Sequence, residues 1–215
     1  MPDFKAFPKI PRLASPFIVT DKLDGSNGTI VILEKFNHEE PEAGAVATVA
    51  GGLGYYEVHV QSRNRFITPE QDNFGFAGWV RENAEVLVDK LGPGYHAGEW
   101  WGHGIQRGYG LAKGDRRFSL FNVTSHAGLS VPEVGLGVVP VLEADALDTP
   151  LFDIQYAVNH SLITLDWAGS LAAPGFMKPE GVILFHARSK QMFKQYLDPT
   201  EKADGVSKRE LVLAA

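Results

Sequence analysis

The chain is written as short strand-like runs broken by turn signals, and one long stretch has clear helical spacing. That alternation constrains the fold most. Short runs joined by tight turns pair with their neighbours, whereas a parallel sheet needs a helix between each pair of strands. PFIVTDKL and GTIVILEKF predict a strand, a tight turn at Asp24-Gly25 and a second strand. The glycine- and alanine-rich stretch from Gly44 to Gly54 predicts a hairpin or loop, and YYEVHVQSRNRF a strand. In FAGWVRENAEVLVDKLG the residues Phe76, Trp79, Val80, Ala84, Leu87, Val88 and Leu91 recur at three- and four-residue steps, and Gly92 closes the helix. YHAGEWW, RRFSLFNV, PEGVILFHA and QMFKQYL read as strands, while Tyr156 to Leu165 fits helix or strand equally. The expectation is one α+β domain over residues 1–215, built on antiparallel sheet.

Composition narrows the function classes. With 215 residues, 44% of them hydrophobic, the chain can bury a substantial core. It has no cysteine, which removes disulfides, thiolate metal sites and cysteine nucleophiles and fits a reducing compartment. No run of apolar residues is long enough to span a bilayer, and the start, MPDFKAFPKIPRLASPF, sets prolines among its basic residues without an apolar signal core. A cytoplasmic protein without a membrane partner is expected. The formal charge of −6 argues against indiscriminate binding of nucleic acid. From Phe118 to Met177 there is no Lys or Arg, while Glu133, Glu143, Asp145, Asp148, Asp153 and Asp166 all lie in that span. The cations concentrate on either side, as Arg107, Lys113, Arg116 and Arg117 and as Lys178, Arg188, Lys190 and Lys194. Together these could form a local phosphate-binding face; singly they read as solvated side chains.

Lys22 in DKLDGSNGTI is the first candidate for chemistry. A lysine where a strand runs into a glycine turn, with Asp24 two residues on, can share a strand face with that carboxylate. The bland alternative is a surface hairpin with a salt-bridged lysine. Other features remain bland. His96 and His103 have no partner at metal-ligand spacing, and GGLGYY lacks the helix and the Lys-Ser/Thr of a P-loop. Ser26 and Asn27 can reach phosphate or simply cap a turn.

Six segments in order turn this candidate into a pattern. DKLDGSN resembles the nucleotidyl-transfer motif of the covalent nucleotidyltransferases, the superfamily of ATP-dependent DNA and RNA ligases and mRNA capping enzymes. SRNRF resembles its Ser-Arg motif, AGEWWGHGIQ the motif that carries a Glu, RRFSLFNV the aromatic strand, PEGVILF the Glu-Gly motif and MFKQY the final lysine strand. The chain is most similar to the phage-type RNA ligase 2 family, and the resemblance runs from Val19 to Tyr196. It implies an antiparallel-sheet, ATP-grasp-like nucleotidyltransferase domain without an appended C-terminal OB domain.

The resemblance also implies roles. Lys22 would attack the α-phosphate of ATP, which requires that its ammonium first be destabilised. Arg63 would contact ribose or an RNA 5′-phosphate, with Arg65 on the same strand face as a possible substitute. Glu99 would accept a ribose hydroxyl, and Phe121 would stack on adenine, with Trp100 and Trp101 as core and Phe118 unassigned. Asp21 and Asn27 would line the nucleotide site, Asp21 through backbone groups. Asp24, Glu99 and Glu180 would hold Mg²⁺ or Mn²⁺ through hard oxygens, and Lys194 would steady the α-phosphate. The family commonly has a second lysine two residues later; here Tyr196 stands in its place.

The implied activity is an ATP-dependent RNA ligase acting on RNA ends, with nicked or bridged duplex favoured and a dimer or partner protein completing the RNA surface. Two alternatives stand beside it: a DNA nick ligase or GTP-using capping-type enzyme, and a domain that binds nucleotide or nucleic acid without turnover.

Overall fold

In chain order the computed structural model runs β1 (Phe17–Asp21), β2 (Ser26–Phe36), β3 (Ala47–Gly51), β4 (Gly54–Ser62), β5 (Phe66–Ile67), α1 (Phe76–Glu82), α2 (Ala84–Leu91), β6 (Gly94–Gly102), β7 (Arg116–Leu120), β8 (Ser130–Val131), β9 (Leu136–Val138), β10 (Val141–Ala144), α3 (Ile154–Ala168), β11 (Gly181–His186) and β12 (Gln191–Tyr196). It describes residues 3–36, 38–144 and 154–200, so Asp145, Asp148 and Asp153 lie outside the described residues. The class is α+β, as the sequence predicts. Among the described residues no helix is long and apolar enough to cross a membrane.

The chain forms two compact units and passes between them at Lys22/Leu23 and again at Val139/Pro140. The first unit joins residues up to Lys22 with those from Pro140 onward. Its four-stranded antiparallel sheet has the order β10-β1-β11-β12. Helix α3 packs on this sheet through Ala157, Val158 and Leu165, which meet Phe17, Val19, Val182 and Leu184. The ambiguous stretch is therefore helix. Tyr156, Ile163 and Trp167 are apolar yet exposed, so apolar residues occupy both faces and blur the periodicity.

The second unit, Leu23–Val139, holds an eight-stranded sheet ordered β3-β4-β2-β6-β7-β9-β8, with β5 paired to β4. All pairs are antiparallel except β7 with β9. Helices α1 and α2 bury Phe76, Val80, Leu87 and Val88 in a core shared with Ile30, Ile32, Val58, Val60, Trp100, Phe118 and Leu120. Gly28 makes room for this packing, since a Cβ there would lie 2.3 Å from the Phe76 ring.

Two sequence expectations change here. The strands that flank Asp24-Gly25, β1 and β2, form as predicted but belong to different sheets. The long helix from Phe76 breaks at Asn83, whose φ of −113° is not helical and whose side chain donates to the Trp79 carbonyl at 2.8 Å. Gly92 closes α2 as expected, at φ +67°. The run YYEVHVQSRNRF ends as a strand at Ser62, where the Ser62 amide donates to the Arg65 carbonyl at 2.8 Å. Arg63 and Arg65 thus sit in a turn, not on one strand face.

Candidate functional site

Lys22 directly follows β1, an interior strand of the first unit's sheet. Its amide donates to the Gly181 carbonyl at 2.9 Å, and its Nζ donates to Glu180 Oε2 at 2.5 Å. The lysine side chain is 18% exposed and the glutamate 1%. A buried carboxylate needs a cation or strong donors, and Lys22 is that cation. Gly181 is obligatory between them: its φ is +149°, and a Cβ there would lie 2.1 Å from the Gln195 carbonyl oxygen. Across the ladder between β11 and β12, Ile183 pairs with Lys194 and Gly181 with Tyr196. The Tyr196 ring lies 5.6 Å from Lys22 Nζ and 5.4 Å from Lys194 Nζ.

Asp21 is also in this unit, but its carboxylate is directed at the segment after α3. Oδ2 accepts from Ser170 Oγ at 2.8 Å and from the Leu171 amide at 3.0 Å, while Oδ1 is buried without a hydrogen-bond partner. Burial holds the Asp21 pKa above the usual aspartate value against these bonds. The Asp21 amide is engaged by the Pro140 carbonyl at 2.9 Å.

The second unit begins one residue past Lys22, and Asp24 is fixed at once. Its amide donates to Tyr109 Oη at 2.7 Å, and its carboxylate accepts from Arg107 Nε at 3.1 Å. Tyr109 is buried, sits at φ +51° between two glycines, and meets Trp101 edge-on at 5.0 Å. Gly25 follows; a Cβ there would lie 2.4 Å from the Trp100 carbonyl oxygen. Its amide donates to Glu99 Oε1 at 3.0 Å. Asn27 on β2 lies opposite Glu99 on β6 and donates to Oε2 at 2.6 Å. Arg63 then clamps Asn27 Oδ1 with Nε and Nη2, at 2.9 and 2.5 Å. Glu99, Asn27 and Arg63 form one polar chain.

Phe121 follows β7 and is 38% exposed, so its ring is open to a ligand. Phe118 is fully buried against Phe76 at 4.9 Å, and Trp100 and Trp101 are core. Arg65 donates to the Gln71 carbonyl at 3.4 Å. Of the basic cluster, Arg107 pairs with Asp24, Arg117 with Asp115, and Arg116 donates to the Phe74 and His103 carbonyls. Sequence reasoning missed Tyr109 and the partner of Arg107. The string Gly-Tyr-Gly signals a forced turn at Tyr109, while nothing local indicates that Arg107 pairs with Asp24, 83 positions away.

Asp24, Glu99 and Glu180 offer hard carboxylate oxygens suited to Mg²⁺ or Mn²⁺. Glu180, almost wholly buried and engaged by a lysine ammonium, is adapted to a positive charge within the first unit, while Asp24 and Glu99 belong to the second. Among the described residues, Glu42, Glu57 and His59 have ligand atoms within 4.8 Å of one another. There Lys35 supplies the charge, 2.7 Å from Glu42 Oε1 and 3.6 Å from Glu57 Oε2.

The RNA ligase family model matches residues 15–194. No curated protein matches the chain closely enough to count as a relative. Among solved structures, a Naegleria gruberi RNA ligase mutant with ATP and Mn is similar at 19% identity and a TM-score of 0.46, over 85% of this chain and 49% of that one. A second mutant of that ligase, with AMP and Mn, is similar at 20% identity and a TM-score of 0.46, over 85% and 50%. The chain thus spans about half the length of the solved structures it matches.

Proposed function

Because the chain belongs to the RNA ligase family, we propose that it is an ATP-dependent RNA ligase whose residues 1–215 act as one adenylyltransferase domain and whose nucleophile is Lys22. The observation that carries this reading is the contact of Lys22 Nζ with Glu180 Oε2, at 2.5 Å, in a sheet that also presents Lys194. An ordinary lysine is protonated at neutral pH and cannot attack. Glu180 is the hydrogen-bonded base that takes the proton and so frees the Nζ lone pair; the amine then attacks, the N–P bond forms as the bond from the α-phosphorus to pyrophosphate breaks, and the second proton passes from Nζ to solvent. Lys194 steadies the α-phosphate as charge gathers on its oxygens.

Glu99, Asn27 and Arg63 take the ribose side of the nucleotide. Their mutual hydrogen bonds set the rotamers before a ligand arrives, which reduces the ordering cost of binding. Phe121 stacks on the adenine. Asp21 acts from behind, anchoring Ser170 and Leu171. Asp24, Glu99 and Glu180 hold Mg²⁺ or Mn²⁺, which when bound offsets the negative charge of the phosphates.

In the second step an RNA 5′-phosphate oxygen attacks the phosphorus of lysyl-AMP, and the bond to Nζ breaks. In the third, an RNA 3′-hydroxyl attacks the 5′-phosphate and AMP leaves. Nicked or bridged duplex RNA is the favoured substrate, with a dimer or partner protein extending the surface.

The test is incubation with α-labelled ATP or GTP and a divalent ion. An acid-labile, alkali-stable label from ATP, lost in Lys22→Ala, is expected. Label from GTP alone would replace the ligase reading with a capping-type enzyme, and label from neither would leave a binding domain.

A further inference from the structure

We propose that Tyr196 is a positioning residue whose ring holds the ammonium groups of Lys22 and Lys194 apart and in register. This rests on the reading of Lys22 as nucleophile and Lys194 as phosphate ligand. Its basis is the pair of contacts from one ring, 5.6 Å to Lys22 Nζ and 5.4 Å to Lys194 Nζ. Two ammonium groups directed at one phosphate repel each other. The negative face of an aromatic ring attracts each of them and adds no charge of its own.

The backbone fixes the ring to the nucleophile. Lys22 bonds through its amide to Gly181, Gly181 faces Tyr196 across the ladder, and the Leu197 amide donates to the Glu180 carbonyl at 3.0 Å. Glu180, Gly181 and Tyr196 therefore move with the main chain of Lys22. Tyr196 is also the one residue of β12 that is partly buried, the other five being exposed. Lys22 Nζ is restrained from two directions, by Glu180 Oε2 and by the ring. The carboxylate anchors the amine and the ring sets its angle of approach, which is the kind of orientation that appears in a rate constant. Once AMP is attached, Lys22 Nζ is a neutral phosphoramidate nitrogen and its attraction to the ring is lost, while that of Lys194 persists.

The test compares wild-type protein with Tyr196→Phe, Tyr196→Leu and Tyr196→Lys in single-turnover self-adenylylation across ATP concentrations. Tyr196→Phe keeps the ring and is expected within about twofold of wild type. Tyr196→Leu should lower the rate constant at saturating ATP by roughly three- to thirty-fold, the span of one cation–π contact, with a smaller change in the half-saturating ATP concentration. Tyr196→Lys adds a third ammonium and should be no faster than the leucine variant. A second readout is independent of turnover: in lysine-labelled protein the ε-methylene resonances of Lys22 and Lys194, assigned with Lys22→Arg and Lys194→Arg, should show ring-current shifts in wild type and Tyr196→Phe that vanish in Tyr196→Leu.

Wild-type rate in the leucine variant, or a gain of rate in Tyr196→Lys, would overturn the proposal. Absence of label in wild type would overturn the ligase reading and the task given to Tyr196, and the resonance shifts would then report separately whether the ring holds the two lysines.

Discussion

Burial leaves Asp21 with a carboxyl group that keeps its proton more tightly than an exposed aspartate does. The folded state therefore binds the proton better than the unfolded chain, and the stability linked to it is present below the ordinary aspartate value of 3.8 and lost as pH rises through the folded value. Asp21→Asn removes this titration and keeps an acceptor for Ser170 Oγ. In thermal unfolding scans from pH 4 to 7, the melting temperature of the variant should gain on wild type as pH rises. Tyr109 makes a different contribution, since its hydroxyl accepts the Asp24 amide next to the nucleophile segment. Tyr109→Phe should cost about 1–3 kcal/mol in urea unfolding, the penalty for an amide left without its partner, and should slow self-adenylylation. At this scale the sequence speaks unevenly. Lys22, Glu180 and Lys194 are picked out because each stands in a short string with its own signature, and the structure brings Lys22 and Glu180 into contact. The pairing of Asp24 with Tyr109, separated by 85 positions, has no local trace.

Among elements, β11 depends on its first residue. Gly181 combines a φ of +149° with a backbone oxygen where a side chain would start. Gly181→Ala should destabilise the first unit by about 3 kcal/mol or more, adding backbone strain to a clash that main chain cannot relieve. Urea unfolding with α-labelled ATP as a second probe checks this, and the variant should lose both stability and label. The strands were legible because alternation reports which face is buried; β2, β4, β6, β7, β11 and β12 lie within or beside the runs that predicted them. Helix α3 was not legible, since Trp167 and Ile163 are exposed where polar residues would have marked an outer face. The break between α1 and α2 was hidden for the opposite reason: the apolar steps continue straight through Asn83. The turn at Asp24-Gly25 was recognised as a turn, but spacing cannot say whether the strands it joins pair with each other.

At the level of the whole molecule, charge bears on the proposed RNA substrate. The chain carries −6 overall, and Arg107, Arg116 and Arg117 are committed to internal acceptors. Each phosphate neutralised by a cation adds about 0.9 to the logarithmic salt slope on duplex. With an acidic net charge and these three arginines engaged, sealing by pre-adenylylated protein is expected to be weak, best on nicked duplex RNA, and lost at moderate salt, while self-adenylylation persists. Single-turnover sealing of nicked duplex against free single strands at two salt concentrations checks this; efficient joining of free strands at the higher salt would contradict it. The division into two units is the part that local spacing could not reveal, because the first unit is assembled from both ends of the chain. That arrangement has a consequence during synthesis. Residues 23–139 leave the ribosome as one uninterrupted stretch and can fold as they emerge, whereas β1 must wait for β11, and Lys22 for a glutamate 158 positions downstream. A nascent chain, or one cut short by an early stop codon before Glu180, carries Lys22 without its hydrogen-bond partner. On the proposed reading such a fragment is expected not to charge itself, because Lys22 then lacks the carboxylate it pairs with.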